Sequence, residues 1–137
     1  MSLSPLIAIH LASALGATVI GPVALWARRT GRPARVRLHR AAGYAFTTLL
    51  LCAALSALFI RDYALPNWHG YTGIHILIPL TLLGLWQAFR YLHKGDVANH
   101  RRIMRQVYFG ACLVAGFFTL LPSRYLGNLL WTSLGLV

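Results

Sequence analysis

The segment ANHRRIMRQVYFGACLVAGFF, residues 98–118, puts His100, Arg101, Arg102 and Arg105 at the head of a run of apolar side chains. An earlier segment, RLHRAAGYAFTTLLLCAALSALF, residues 37–59, does the same with His39 and Arg40. A basic cluster that runs straight into about twenty apolar residues marks the step from water into hydrocarbon. Two such steps in one short chain predict a multi-span membrane protein.

The composition agrees. The chain has 137 residues, of which 58% are hydrophobic and 11% charged, with a mean hydropathy of +0.62. Soluble domains carry about 25% charged residues. Thirteen Lys and Arg face two Asp and Glu, for a net charge of +11. In a soluble fold that balance points to nucleic acid. Here the cations cluster between apolar runs, which excludes a basic nucleic-acid face and favours a bilayer.

Four runs reach spanning length: about 3–27, 41–60, 71–91 and 103–121. Each is roughly 19–25 residues, close to the ~20 that cross ~30 Å of hydrocarbon. The expected fold is all-α, an up-down-up-down four-helix transmembrane bundle forming one integral membrane domain over residues 1–137. The tail, 125–137, is apolar but too short to span. The first run lacks a basic leader and exceeds the usual signal-peptide core, so it reads as a span.

Arg28, Arg29, Arg32, Arg35, Arg37 and Arg40 separate the first two runs. Arg90, Lys94, Arg101, Arg102 and Arg105 separate the last two. Only Arg61 and Arg124 lie at the other side. The positive-inside rule then places both basic loops in the cytoplasm and both termini outside, in a bacterial inner membrane. Many of these arginines would meet anionic lipid. Cys52 and Cys112 fall mid-membrane and read as small packing residues.

The two halves share an order of landmarks. His10, Trp26, Arg28, Gly31, His39-Arg40 and Cys52 are matched by His75, Trp86, Arg90, Gly95, His100-Arg101 and Cys112. Each half is thus a helical hairpin of the same orientation, related by an axis along the membrane normal. Equivalent residues would then face each other across a bundle diagonal. His10 and His75 form a pair near one surface, and His39 and His100 a pair near the other.

Neutral imidazole is a good axial ligand for haem iron. Two histidines on one iron leave no open position, so electron transfer is the natural task. Arg40, Arg101, Arg102 and Arg105 could pair with propionates at the basic side, Arg61 and Arg124 at the other. Small residues beside the histidines, Ala14, Ala17 and Gly21 after His10 and Ala42 and Gly43 after His39, leave room for a macrocycle or serve close helix packing. Ile78, Leu82, Trp86, Met104, Val107, Tyr108 and Ala111 would supply apolar walls. Zinc competes as the metal, with His69, His93 and Asp96 as added ligands, but a structural zinc site needs four close donors. His69 and His93 are otherwise interfacial, or hydrogen-bonding groups of a quinol site.

The pieces GDVANHRRIMRQVY (95–108) and RLHRAAGYAF (37–46) resemble a family of small bacterial predicted membrane proteins of unknown function, over most of the chain. The histidine layout is also similar to that of the transmembrane di-haem b-type cytochromes. That second resemblance implies two haems b, held by His10 with His75 and by His39 with His100. It also implies electron relay between a quinol or a partner protein and the opposite membrane face. Two other classes remain: a cofactor-free accessory subunit of a larger membrane complex, and a quinone- or metal-binding membrane protein.

Overall fold

The computed structural model describes residues 4–27, 32–63 and 66–136, all helix and connecting loop apart from one isolated bridge. The first residue of the expected first span, Leu3, together with Arg28, Arg29 and Gly31, lies outside the described residues. Helix α1 runs Pro5–Ala27 and α2 Pro33–Ala57, each opening on a proline, whose missing N–H costs nothing in a first turn. A 3-10 turn, Gly73–Ile76, leads into α3, Leu77–His93. Helix α4, Val97–Tyr108, passes into a π-helical segment, Phe109–Val114, and then into α5, Ala115–Thr119. Helix α6, Tyr125–Ser133, is the short apolar tail.

Among the described residues three helical stretches are long and apolar enough to cross a membrane: Pro5–Ala27, Pro33–Ala57 and Gly73–His93. The fourth expected span, 103–121, is built instead from α4, the π segment and α5. Its first half carries Arg101, Arg102 and Arg105 inside the helix. Likewise α2 begins at Pro33, well before the expected 41, and holds Arg35, Arg37, His39 and Arg40. The correction has a simple cause. Hydropathy marks where a helix enters lipid, whereas proline and capping groups mark where it starts.

The buried residues of α1 are Ser13, Ala17, Gly21, Ala24 and Ala27, one stripe of small side chains. Against it α2 sets Ala42, Phe46, Leu50 and Ala53, at matching helical spacing. Small residues let two backbones approach closely, which is how helices associate without a hydrophobic drive. Helix α3 buries Ile78, Thr81, Leu85 and Ala88 and packs chiefly on α4. The two hairpins join through one core of Ala17, Phe46, Leu50, Leu85, Val107, Tyr108 and Cys112. Large apolar side chains such as Val19, Leu83 and Phe117 stay exposed, at 72%, 55% and 69%. An exposed apolar girdle of this kind needs lipid around it.

Pro22 sits inside α1. It has no N–H for the carbonyl four residues back, which is that of Thr18. Tyr108 supplies the missing donor: its hydroxyl bonds the Thr18 carbonyl oxygen at 3.2 Å. Gly21 makes space for the ring, since a Cβ there would fall 2.5 Å from it. In hydrocarbon a freed backbone group must find such a partner.

Candidate functional site

The turn between α3 and α4 is short and fully specified. Gly95 takes a φ of +76°, the left-handed conformation that ends helices and suits glycine. The Asp96 amide reaches back to the Tyr91 carbonyl at 2.9 Å. Asp96 then caps α4, accepting from the Asn99 amide at 3.0 Å and its side-chain NH2 at 2.6 Å. These bonds, the backbone one first, hold the Asp96 carboxyl below its ordinary value of 3.8. Four residues after this cap comes His100.

The His100 Nδ1 lies 2.9 Å from the Ala88 carbonyl oxygen on α3. In the other hairpin, His39 Nδ1 lies 2.8 Å from the Ala24 carbonyl oxygen on α1. A carbonyl only accepts, so in both rings Nδ1 carries the proton. In the neutral imidazole that leaves Nε2 with a lone pair, the arrangement of a metal-ligating histidine whose other nitrogen is anchored. The halves therefore repeat here in contact as well as in order: each histidine opens the second helix of a hairpin and leans on the first.

His39 and His100 line one cleft of about 370 Å³, together with Arg40 and Arg101. Its volume falls within the ~300–1,000 Å³ of small-molecule sites. Helices α1, α2, α3 and α4 all wall it. Gly21 and Ala24 come from α1, Gly43, Tyr44 and Phe46 from α2, Phe89 and Leu92 from α3, and Met104 and Tyr108 from α4. Phe89 meets the His100 ring edge-on, with centroids 6.3 Å apart. The reading of the sequence missed Phe89, Leu92 and Tyr44. For the first two a signal existed, because Leu85, Ala88, Phe89 and Leu92 recur at helical spacing on one face of α3. Arg102 and Arg105 are exposed on α4 and lie outside the cleft lining.

The opposite end is arranged differently. His10 Nδ1 sits 2.9 Å from the Ala53 carbonyl oxygen and 3.2 Å from Ser56 Oγ, so its Nε2 is free in the same sense. His75 is not equivalent. It lies in the 3-10 turn ahead of α3, where its Nδ1 accepts from the Thr72 amide at 3.1 Å, half of a capping box. Its Nε2 donates to the Ile60 carbonyl at 3.1 Å. Both ring nitrogens are spent on backbone.

The two arginines at this end are held as well. The Arg61 guanidinium stacks 3.8 Å over Tyr71 and donates to the His69 carbonyl, while Arg124 forms an ion pair with Asp62. His69 itself, with φ of +53°, and Gly70, with +83°, form a tight turn closed by the Trp68–Tyr71 bridge. His93 is exposed at the end of α3. Among the described residues no group of three or more His, Cys, Asp or Glu is placed to hold a metal ion. The zinc alternative is left without its ligand set. Both cysteines are free thiols, Cys52 exposed and Cys112 buried.

Residues 7–127 match the family described as predicted membrane protein DUF2306. The chain belongs to that family. The matched range includes the helix stop at Gly95, the cap at Asp96 and the anchored His100. No curated protein and no solved structure matches the chain.

Proposed function

We propose that this membrane protein is an electron carrier holding one haem b between His39 and His100. The observation that carries the reading is one apolar cleft bordered by two imidazoles, each with Nδ1 committed to a backbone carbonyl. The residues present suit the group. His39 and His100 would hold the iron through their free Nε2 atoms, Phe46, Phe89 and Tyr108 would wall the ring, and Arg40 and Arg101 would pair with the propionates. Bound there, the group would supply a one-electron couple.

The chain's own part is orientation and exclusion. The Ala24 and Ala88 carbonyls fix the tautomer and the ring planes of His39 and His100. The aromatic and aliphatic lining gives the ligand nitrogens a mostly apolar surround. This reading takes α4, the π segment and α5 as a fourth crossing of an up-down-up-down bundle. It places the basic end, and hence the cleft, on the cytoplasmic side of a bacterial inner membrane, with both termini outside. A second haem between His10 and His75 would require His75 to surrender its bonds to Thr72 and Ile60, so the proposal stays with one site. A quinol or a partner protein would exchange electrons at the membrane surface.

Absorption spectra of the purified protein, oxidised and then reduced, test it. One haem per chain is the expected result. A colourless preparation points to an accessory subunit, for which the exposed Leu129, Leu134 and Leu136 at the tail offer a partner surface. Bound quinone without haem points to a quinone site in the same cleft.

A further inference from the structure

Trp86, Gln87, Arg90, Tyr91 and Lys94 form a second pocket, of about 250 Å³. The first four fall on one face of α3 and Lys94 caps its end, and none of them lines the cleft. Arg90 and Lys94 stand four residues apart, so two like charges are neighbours on that face, an arrangement that by itself weakens a helix. The chain has two acidic residues in all. One, Asp62, pairs with Arg124, and the other, Asp96, caps α4 with its oxygens on Asn99. Among the described residues no carboxylate pairs with Arg90 or Lys94, which leaves both open to an anion from outside.

The surroundings indicate which anion. Arg90 sits 5.2 Å from the centroid of the Trp86 ring, which is 57% exposed. Trp and Tyr with interleaved cations are the side chains of the headgroup layer. One and two turns deeper on the same face are the exposed Leu83 and Leu80, which offer a path for acyl chains. A free phosphate would use only the cations; a phospholipid uses the cations, the aromatic rim and the leucines.

We infer that this pocket binds the headgroup phosphate of an anionic phospholipid, with Arg90 and Lys94 on the phosphate, Trp86 and Tyr91 at the glycerol level and Leu83 against the chains. Native mass spectrometry of the detergent-solubilised protein with phosphatidylglycerol, phosphatidylcholine or glycerol 3-phosphate tests it. Phosphatidylglycerol should be retained over phosphatidylcholine. The double variant Arg90→Gln/Lys94→Gln should weaken phosphatidylglycerol binding by about thirtyfold, the size expected for losing two interfacial cations. Arg32→Gln/Arg37→Gln, which removes the same charge from exposed sites near the start of α2, should leave it unchanged. Equal retention of the two lipids by the unaltered protein overturns the proposal. So does equal loss in both double variants, which would report charge density alone. Glycerol 3-phosphate held as tightly as the lipid would overturn the assignment to a membrane ligand.

Discussion

The hydroxyl of Tyr108 donates to the carbonyl oxygen of Thr18, ninety positions away in the chain, at 3.2 Å. It is the carbonyl that Pro22 leaves without a helical partner. This bond ties the second hairpin to the first. Tyr108→Phe should therefore destabilise the fold by about 0.5–2 kcal/mol, the range found for interhelical hydrogen bonds in membranes. Pro22→Ala restores an N–H to pair with Thr18. The double variant should accordingly lose less than Tyr108→Phe alone, as measured by thermal unfolding in detergent. Equal losses in the two backgrounds would mean that the hydroxyl does not serve this carbonyl.

Gly21→Ala is a steric counterpart. Its Cβ would lie 2.5 Å from the Tyr108 ring and 3.2 Å from Phe46. Both rings are buried in the core, so the expected cost is about 1–3 kcal/mol. Gly110→Ala, where a Cβ meets nothing within 4 Å, should be close to neutral in the same melting experiment.

The cleft makes a sharper prediction about the histidines. His39→Ala and His100→Ala should each abolish the same visible absorption, while His10→Ala and His75→Ala should leave it in place. Gly43 lines the cleft and has open space at its Cβ position. Gly43→Leu should then give a folded protein that is colourless. Loss of absorption in the His10 and His75 variants, with His39 and His100 unaffected, would move the site to the opposite end.

Asp96 ties stability to acid. Its carboxyl is held below the ordinary 3.8 by its bonds to Asn99. A group whose folded value is depressed contributes stability in full above its unfolded value and loses it as pH falls through the folded one. The melting temperature should therefore decline below about pH 4. Asp96→Asn should flatten that part of the profile. Unchanged acid dependence in Asp96→Asn would show that other groups govern it.

Much of this was legible in the chain order. The apolar runs, the short tail and the matched positions of His39 and His100 in the two halves follow from hydropathy and internal repetition, which act locally. The helix starts were not, because Pro33 and Asp96 open helices in water before the apolar residues begin. Nor was the fate of His75. Thr72, three residues before it, makes a capping box, and a histidine able to cap a turn looks in sequence like one able to bind iron. Arg61 and Arg124 were likewise indistinguishable from free cations until Tyr71 and Asp62 came beside them.

The π segment at Phe109–Val114 bears on how relatives of different length are to be aligned. A π bulge accommodates one surplus residue within a helix. Drawn as plain α-helix, the same chain would turn everything after it by about 100°. A family member one residue shorter in this stretch would therefore run straight through and still present both ends of the rod to the same neighbours, so a single gap belongs there and not in the flanking turns.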